Sequence, residues 1–213
     1  MEKKYWDDFY NSKVAPIQPS NFAKFIAENY LEKCDYLFDL GCGNARDTFY
    51  FASQGVSCIG IDQSDAAIEV NRNKIPPAIK NIRFEIGDFP SFKYEKDLDE
   101  KISIYSRFTL HSINYEEETI LLDNLISLKN LDMLFIEVRS IHDEIYGDGD
   151  EVGKHEFITS HYRRFIDPEI LKSQLQAHFD LKYFVESQGF SKTDESDPCL
   201  IRVVAKRKNI IKN

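Results

Sequence analysis

The stretch from Cys34 to Asp62, CDYLFDLGCGNARDTFYFASQGVSCIGID, constrains the fold more than any other part of the chain. Tyr36-Leu37-Phe38-Asp39-Leu40 is a short apolar run of strand type, broken at once by Gly41-Cys42-Gly43. From Ala45 apolar residues recur at 45, 49 and 52, a helical spacing, and Gly55 supplies a C-terminal cap. Val56 to Ile61 then reads as a second strand that ends on Asp62. Strand, glycine turn, helix and strand make one βαβ unit with a ligand-binding turn at its first crossover.

The chemistry of that turn narrows the ligand. Gly41 and Gly43 let the backbone approach a bound molecule closely, because no Cβ stands in the way. Asp62, 23 residues after Asp39 at the tip of the second strand, is where an acid would hold two ribose hydroxyls. A dinucleotide site has the same layout, but its fingerprint wants a small last residue for pyrophosphate at the helix start. Here that position is Arg46, which is bulky. Asp39, two residues before the first glycine, suits a ligand that carries an ammonium group. Ribose plus amino acid without pyrophosphate describes S-adenosylmethionine.

Phe38-Asp39-Leu40-Gly41-Cys42-Gly43-Asn44-Ala45-Arg46-Asp47 resembles motif I of the class I S-adenosylmethionine-dependent methyltransferases, in its "DLGCGNGRD" form. It departs at Ala45, where that form has a third glycine. Gly60-Ile61-Asp62-Gln63-Ser64 resembles the acidic-loop motif that follows, and Gly87-Asp88-Phe89 the adenine-side motif after the third strand. The resemblance implies that Asp39, Gly41, Cys42, Gly43, Asn44, Arg46 and Asp47 hold the methionine part of the cofactor. It assigns the ribose to Asp62 with Gln63 and Ser64, and the adenine to Asp88 and Phe89, with Ser106 also on the cofactor side.

The remaining elements follow in order. Ser20 reads as an N-cap before a helix with Phe22, Phe25, Ile26 and Tyr30 at core spacing. Gln63 to Asn73 is a short helix, stopped at Ile75-Pro76-Pro77, and Ile82 to Ile86 alternates as a third strand. Residues 90–100 are a polar connection, and Lys101 to Tyr105 is a fourth strand. Asn114 caps a helix, Leu131 to Val138 is a fifth strand, Asp167-Pro168 opens another helix, and Leu181–Glu186 and Cys199–Lys206 are the last two strands. The family's α/β, Rossmann-like arrangement is therefore expected: seven strands in the order 3-2-1-4-5-7-6, the last antiparallel, with helices on both faces. One domain over 1–213 is expected, with 1–19 as a lid over the pocket and 139–166 as a long insert forming a pocket wall.

Composition excludes several classes. A net charge of −9 argues against nucleic acid as the main partner, since phosphate binding is driven by Lys and Arg. The four cysteines, Cys34, Cys42, Cys58 and Cys199, are scattered with no CxxC pair, so no zinc site or disulfide framework is indicated. No apolar run approaches the ~18 residues that span a membrane, and the amino terminus lacks a signal-type apolar core. A soluble, cytoplasmic protein is expected.

Ligands of a doubly wound sheet sit beyond the carboxyl ends of its strands, so residues after strands four and five face the transferred methyl. Ser106-Arg107-Phe108-Thr109-Leu110-His111-Ser112-Ile113 resembles the "YSRFxLHxI" motif IV of a tellurite-resistance and thiopurine-like branch of small-molecule methyltransferases. His111 is the first candidate for a general base, with His161 or His142 behind it and Arg107 as a further catalytic candidate. His111 reads equally as a loop brace through a backbone bond. In the insert, Arg139, Arg163 and Arg164 are candidates for gripping an anion, although neighbouring residues of an extended chain point opposite ways. Tyr162 and the lid's Tyr10 complete the expected substrate-binding set. The acids Asp143, Glu144, Asp148 and Asp150 have no metal-ligand spacing, and no metal is expected. The expected reaction is methylation, at oxygen, of a small or glycan-type acceptor that carries phosphate, carboxylate or sugar. A sulfur, selenium or tellurium acceptor is the alternative, as is a protein that binds the cofactor without turnover. A nicotinamide-dependent oxidoreductase is disfavoured by Arg46.

Overall fold

A computed structural model describes residues 16–31, 36–94 and 100–208. Tyr10, Cys34 and most of the expected lid lie outside the described residues. The central strand β1 (Tyr36–Leu40) is buried on both faces, as its unbroken apolar run requires. It pairs in parallel with β2 (Ser57–Asp62) on one side and β4 (Ile102–Arg107) on the other. With β3 (Ile82–Ile86), β5 (Leu131–Arg139), β9 (Phe179–Ser187) and β10 (Leu200–Arg207), they form one sheet in the order β3-β2-β1-β4-β5-β10-β9. β10 runs antiparallel to both of its neighbours. This is the expected order, antiparallel last strand included.

The chain reverses its direction of travel across the sheet between β1 and β4, so the crevice beyond their carboxyl ends is open to a ligand. Helices cover both faces. Packed on one face are α1 (Asn21–Asn29), α2 (Arg46–Ser53) and α3 (Asp65–Asn73), through Phe22, Ile26, Phe51, Ala52 and Ile68. On the other are α4 (Tyr115–Ser127) and α5 (Pro168–Gln176), through Leu121, Leu125, Leu171 and Leu175. The cap residues act as their types demand. Ser20 and Ser64 each accept an N–H from three residues on, Asn114 forms a reciprocal box with Glu117, and Asp167 caps α5 ahead of its proline.

After β3 the described residues 87–94 carry no helix, in keeping with the polar connection expected there. One expectation needs correction. The insert 139–166 is not a bare loop but folds into a small antiparallel sheet, β6 (Asp150–Gly153), β7 (Glu156–Ile158) and β8 (Tyr162–Arg164). A bridge between Ser140 and Ile166 returns the chain to the main sheet beside β5. No described helix is long and apolar enough to cross a membrane.

Candidate cofactor and acceptor site

The turn after β1 is made of left-handed residues: Gly41 at φ +61°, Gly43 at +54° and Ala45 at +60°. Gly41 is required on contact grounds as well, since a Cβ there would stand 2.5 Å from Cγ2 of Thr109. Asp62, at the end of β2, accepts the N–H of Gly43 on one carboxylate oxygen and that of Ser64 on the other, both at 2.9 Å. Asn71 donates to the carbonyl of Gly43 at 2.7 Å, pinning the turn from α3.

Asp39 lies beneath the turn, with Thr48 Oγ1 donating to its carboxylate at 2.5 Å. Burial, reinforced by the nearby Asp47 and Asp62, pushes its pKa up to about 8. A buried carboxyl held neutral by its own surroundings is a place for a cation, which would return its charge. Burial likewise pushes the Cys42 thiol up, away from thiolate chemistry.

These groups line one cavity of about 370 Å³, with Phe89 on its apolar side and Arg46 at the head of α2. The far end belongs to the segment after β4 and to the insert: Arg107, Phe108, Thr109, His111, Ser112, Arg139, His161 and Arg163. Phe108 is held at φ +57°, an unusual place for an aromatic residue. Its ring sits under the Arg107 guanidinium, 4.2 Å from carbon to centroid, and stacks on the His111 imidazole at 5.5 Å. Arg107 Nε donates to Glu137 at 2.9 Å, and Arg139 Nη1 donates to both oxygens of Asp143 at 2.8 Å. Arg163 donates to His161 Nε2 at 3.0 Å, which fixes that ring nitrogen as an acceptor. His111 is buried, its Nδ1 without a hydrogen-bond partner in the structure. Burial first, then the charges of Arg163, Arg139 and Arg107, hold its pKa well below the ordinary histidine value. That direction favours the neutral imidazole.

An acidic turn with a buried carboxyl and an acid at the tip of β2 fits the two hydroxyls and the ammonium of S-adenosylmethionine. A family model described as "Methyltransferase domain" matches residues 32–137, the span that carries this turn, Asp62 and β4. The chain belongs to the class I S-adenosylmethionine-dependent methyltransferases. No curated protein matches this methyltransferase in sequence. Solved structures share its fold at low identity. A S-adenosylmethionine-dependent methyltransferase of Methanosarcina mazei superimposes with a TM-score of 0.71 at 17% identity, over 85% of this chain and 96% of that one. The 1,6-didemethyltoxoflavin-N1-methyltransferase of Burkholderia thailandensis, solved with S-adenosylhomocysteine, gives 0.68 at 15% identity, over 97% and 86%. Magnesium protoporphyrin IX methyltransferase from Synechocystis, solved with S-adenosylmethionine, gives 0.60 at 15%, over 88% and 76%.

Among the described residues, the methyltransferase's cavity gathers most of the candidates. Asp39, Gly41, Cys42, Asn44, Arg46, Asp47, Asp62, Gln63 and Phe89 line the half of the cavity beside the turn after β1. Gly43 and Ser64 act through Asp62, and Ser106 donates or accepts at Thr109 Oγ1, 2.5 Å away. Asp88 is exposed and accepts from Ser91, off the cavity wall. Asp47 touches the cavity, but its carboxylate takes the Ser20 N–H and hydroxyl and the Tyr105 hydroxyl, at 2.7, 2.8 and 2.8 Å.

On the acceptor side, Arg163 faces the cavity and Arg164 does not, because adjacent residues of β8 alternate. Arg164 is buried, paired with Glu118 and donating to the carbonyls of Ile113 and Leu110 at 3.0 and 3.4 Å. Its expected place in the anion grip is corrected to that of a brace. Tyr162 is likewise off the cavity wall, as is His142, which pairs with Glu186 at 2.8 Å on the surface.

Sequence reasoning missed Glu137, Tyr105, Phe108 and Thr109. Glu137 is fully buried and ties Arg107 to Arg202, 2.9 and 2.6 Å away, across β4, β5 and β10. Its signal was present: a lone acid inside the apolar run LFIEV is buried only if paired.

Proposed function

We propose that this methyltransferase methylates an oxygen of a small anionic acceptor, a carboxylate or a phosphate, which a sugar may carry. The observation behind this reading is the convergence of Arg107, Arg139 and Arg163 on one end of the cavity, facing the acidic cofactor half. Guanidinium groups bind such oxyanions bidentately and set their direction of attack. S-adenosylmethionine supplies an electrophilic methyl on a sulfonium, transferred by in-line displacement. Asp62 would hold its ribose, Asp39 its ammonium, and Phe89 its adenine.

With the acceptor already ionised, no proton need be removed, and the protein's contribution is alignment and exclusion of water. His111 then serves as a neutral hydrogen-bonding wall rather than a base, since its depressed pKa makes it a poor proton acceptor. Phe108 keeps Arg107 and His111 in register with each other.

The test is transfer from methyl-labelled S-adenosylmethionine to panels of carboxylic acids, phosphate monoesters, neutral sugars and thiols. Label in the first two panels is expected, base-labile where the product is a carboxylate methyl ester and base-stable where it is a methyl phosphodiester. Label confined to thiols or to neutral sugars overturns the reading. Arg139→Ala and Arg163→Ala should each raise the acceptor KM about tenfold, the weight of a charged hydrogen bond, while leaving cofactor affinity unchanged.

A further inference from the structure

Arg107, Glu137 and Arg202 stand in one row across the sheet, on β4, β5 and β10, each a register partner of the next. Register partners share a face of the sheet, so the three side chains meet. Glu137 is fully buried, its Oε1 accepting from Arg107 Nε at 2.9 Å and its Oε2 from Arg202 Nε at 2.6 Å. The connection between β9 and β10 closes the row. Ser191 Oγ donates to the same Glu137 Oε1 and accepts from Arg107 Nη2, both at 3.3 Å. Arg202 is held in turn, its Nη2 donating to the Phe190 carbonyl at 3.1 Å. Its guanidinium carbon lies 4.2, 5.3 and 5.8 Å from the ring centroids of Phe190, Phe22 and Phe25. Of the two arginines, Arg107 lines the cavity and Arg202 does not.

We propose that Glu137 and Ser191 are positioning residues of the methyltransferase, which aim the Arg107 guanidinium at the acceptor. A buried Arg–Glu–Arg triad is a weak source of stability, because desolvating three charges offsets most of their attraction. What it supplies is a fixed direction. Glu137 holds Nε, Ser191 holds Nη2, and the Phe108 ring lies 4.2 Å from the guanidinium carbon, leaving Nη1 for an acceptor oxygen. Arg202, enclosed by three rings, anchors the other oxygen of Glu137 so that the carboxylate cannot follow a moving Arg107. In-line transfer is sensitive to such aim, since a displacement of about 1 Å costs on the order of a hundredfold in rate. The role rests on the reading that an anionic acceptor meets Arg107.

Arginine Nε–H NMR reads the pairing without an acceptor, and the signal lost in Arg107→Lys identifies Arg107. With S-adenosylhomocysteine bound, that signal should exchange slowly with water and move saturably as methyl phosphate is added. Glu137→Gln keeps the side chain's shape and removes its charge, and the Arg107 signal should then exchange about tenfold faster, the weight of a charged hydrogen bond. Transfer is timed on whichever panel compound takes label. Glu137→Gln should lower kcat about tenfold without raising the acceptor KM, because the anion still meets three arginines but one is poorly aimed. Ser191→Ala changes no charge; it should lower kcat about threefold with the same split, at an unchanged unfolding temperature. That variant carries the test if Glu137→Gln does not fold. Label confined to thiols or neutral sugars, with methyl phosphate leaving the Arg107 signal in place, overturns the anionic acceptor and the proposal with it. An Arg107 signal that neither variant alters overturns the proposal alone, whether or not any compound takes label. So does a labelled carboxylate or phosphate whose kcat stays intact in both variants, with or without a raised KM.

Discussion

Asp39 sets the proton balance of the cofactor site. Its pKa is raised from 3.8 to about 8, so the empty protein holds a proton there that the unfolded chain releases. The stability this contributes is fully present below about pH 4 and is lost as the pH climbs toward 8. An ammonium beside Asp39 reverses the preference, and binding S-adenosylhomocysteine should expel a proton. Its affinity should rise between pH 6 and 8, and calorimetry in buffers of different ionisation heat should show the release. A pH-independent affinity with no buffer dependence would remove Asp39 from the ammonium site. Ala45 presents the opposite case, a residue out of place by conformation. Its left-handed φ of +60° costs about 1 kcal/mol, while its fully buried methyl contributes about 0.8 kcal/mol. Ala45→Gly should therefore leave denaturant stability within about 1 kcal/mol of the parent. Ala45→Val, branched at the strained position, should lower it by more than about 2 kcal/mol.

Strand β8 shows how one element divides two adjacent identical residues between different tasks. Arg163 points into the acceptor cavity, and Arg164 points the other way into its bonds with Glu118 and two carbonyls. Arg164→Ala leaves a buried carboxylate unpaired, and breaking such a pair costs about 3–5 kcal/mol. Urea titration should show that loss, whereas Arg163→Ala should unfold within about 1 kcal/mol of the parent and fail in acceptor binding instead. Equal stabilities for the two variants would refute the division. The dipeptide and its alternation were legible in the sequence, but not the side each arginine takes. That depended on the insert folding as a sheet, and short strands such as Glu156–Ile158 carry too few residues to show a period.

At the scale of the whole molecule, the cofactor crevice is a consequence of strand order, and ligand binding should be felt by the entire fold. S-adenosylhomocysteine at a hundred times its Kd should stabilise the protein by about 2.7 kcal/mol, read as a raised unfolding temperature. Asp62→Ala, which removes the acceptor of the Gly43 and Ser64 N–H groups, should erase most of that shift. The cofactor turn could be read from the chain alone, and the order β3-β2-β1-β4-β5-β10-β9 was expected from the family that the turn resembles. Short apolar strands, caps and glycine turns are local signals, and the βαβ unit brings its own ligand groups together within 29 residues, Cys34 to Asp62. The acceptor half was decided only by tertiary contact. Arg107, His111, Arg139 and Arg163 come from three separate segments, and their charge states depend on what is buried beside them. Glu137 neutralises one arginine and Asp143 another, while packing among arginines keeps His111 neutral. Desolvation and charge pairing act through space rather than along the chain, so residue order specified the cofactor turn and only folding specified the acceptor chemistry.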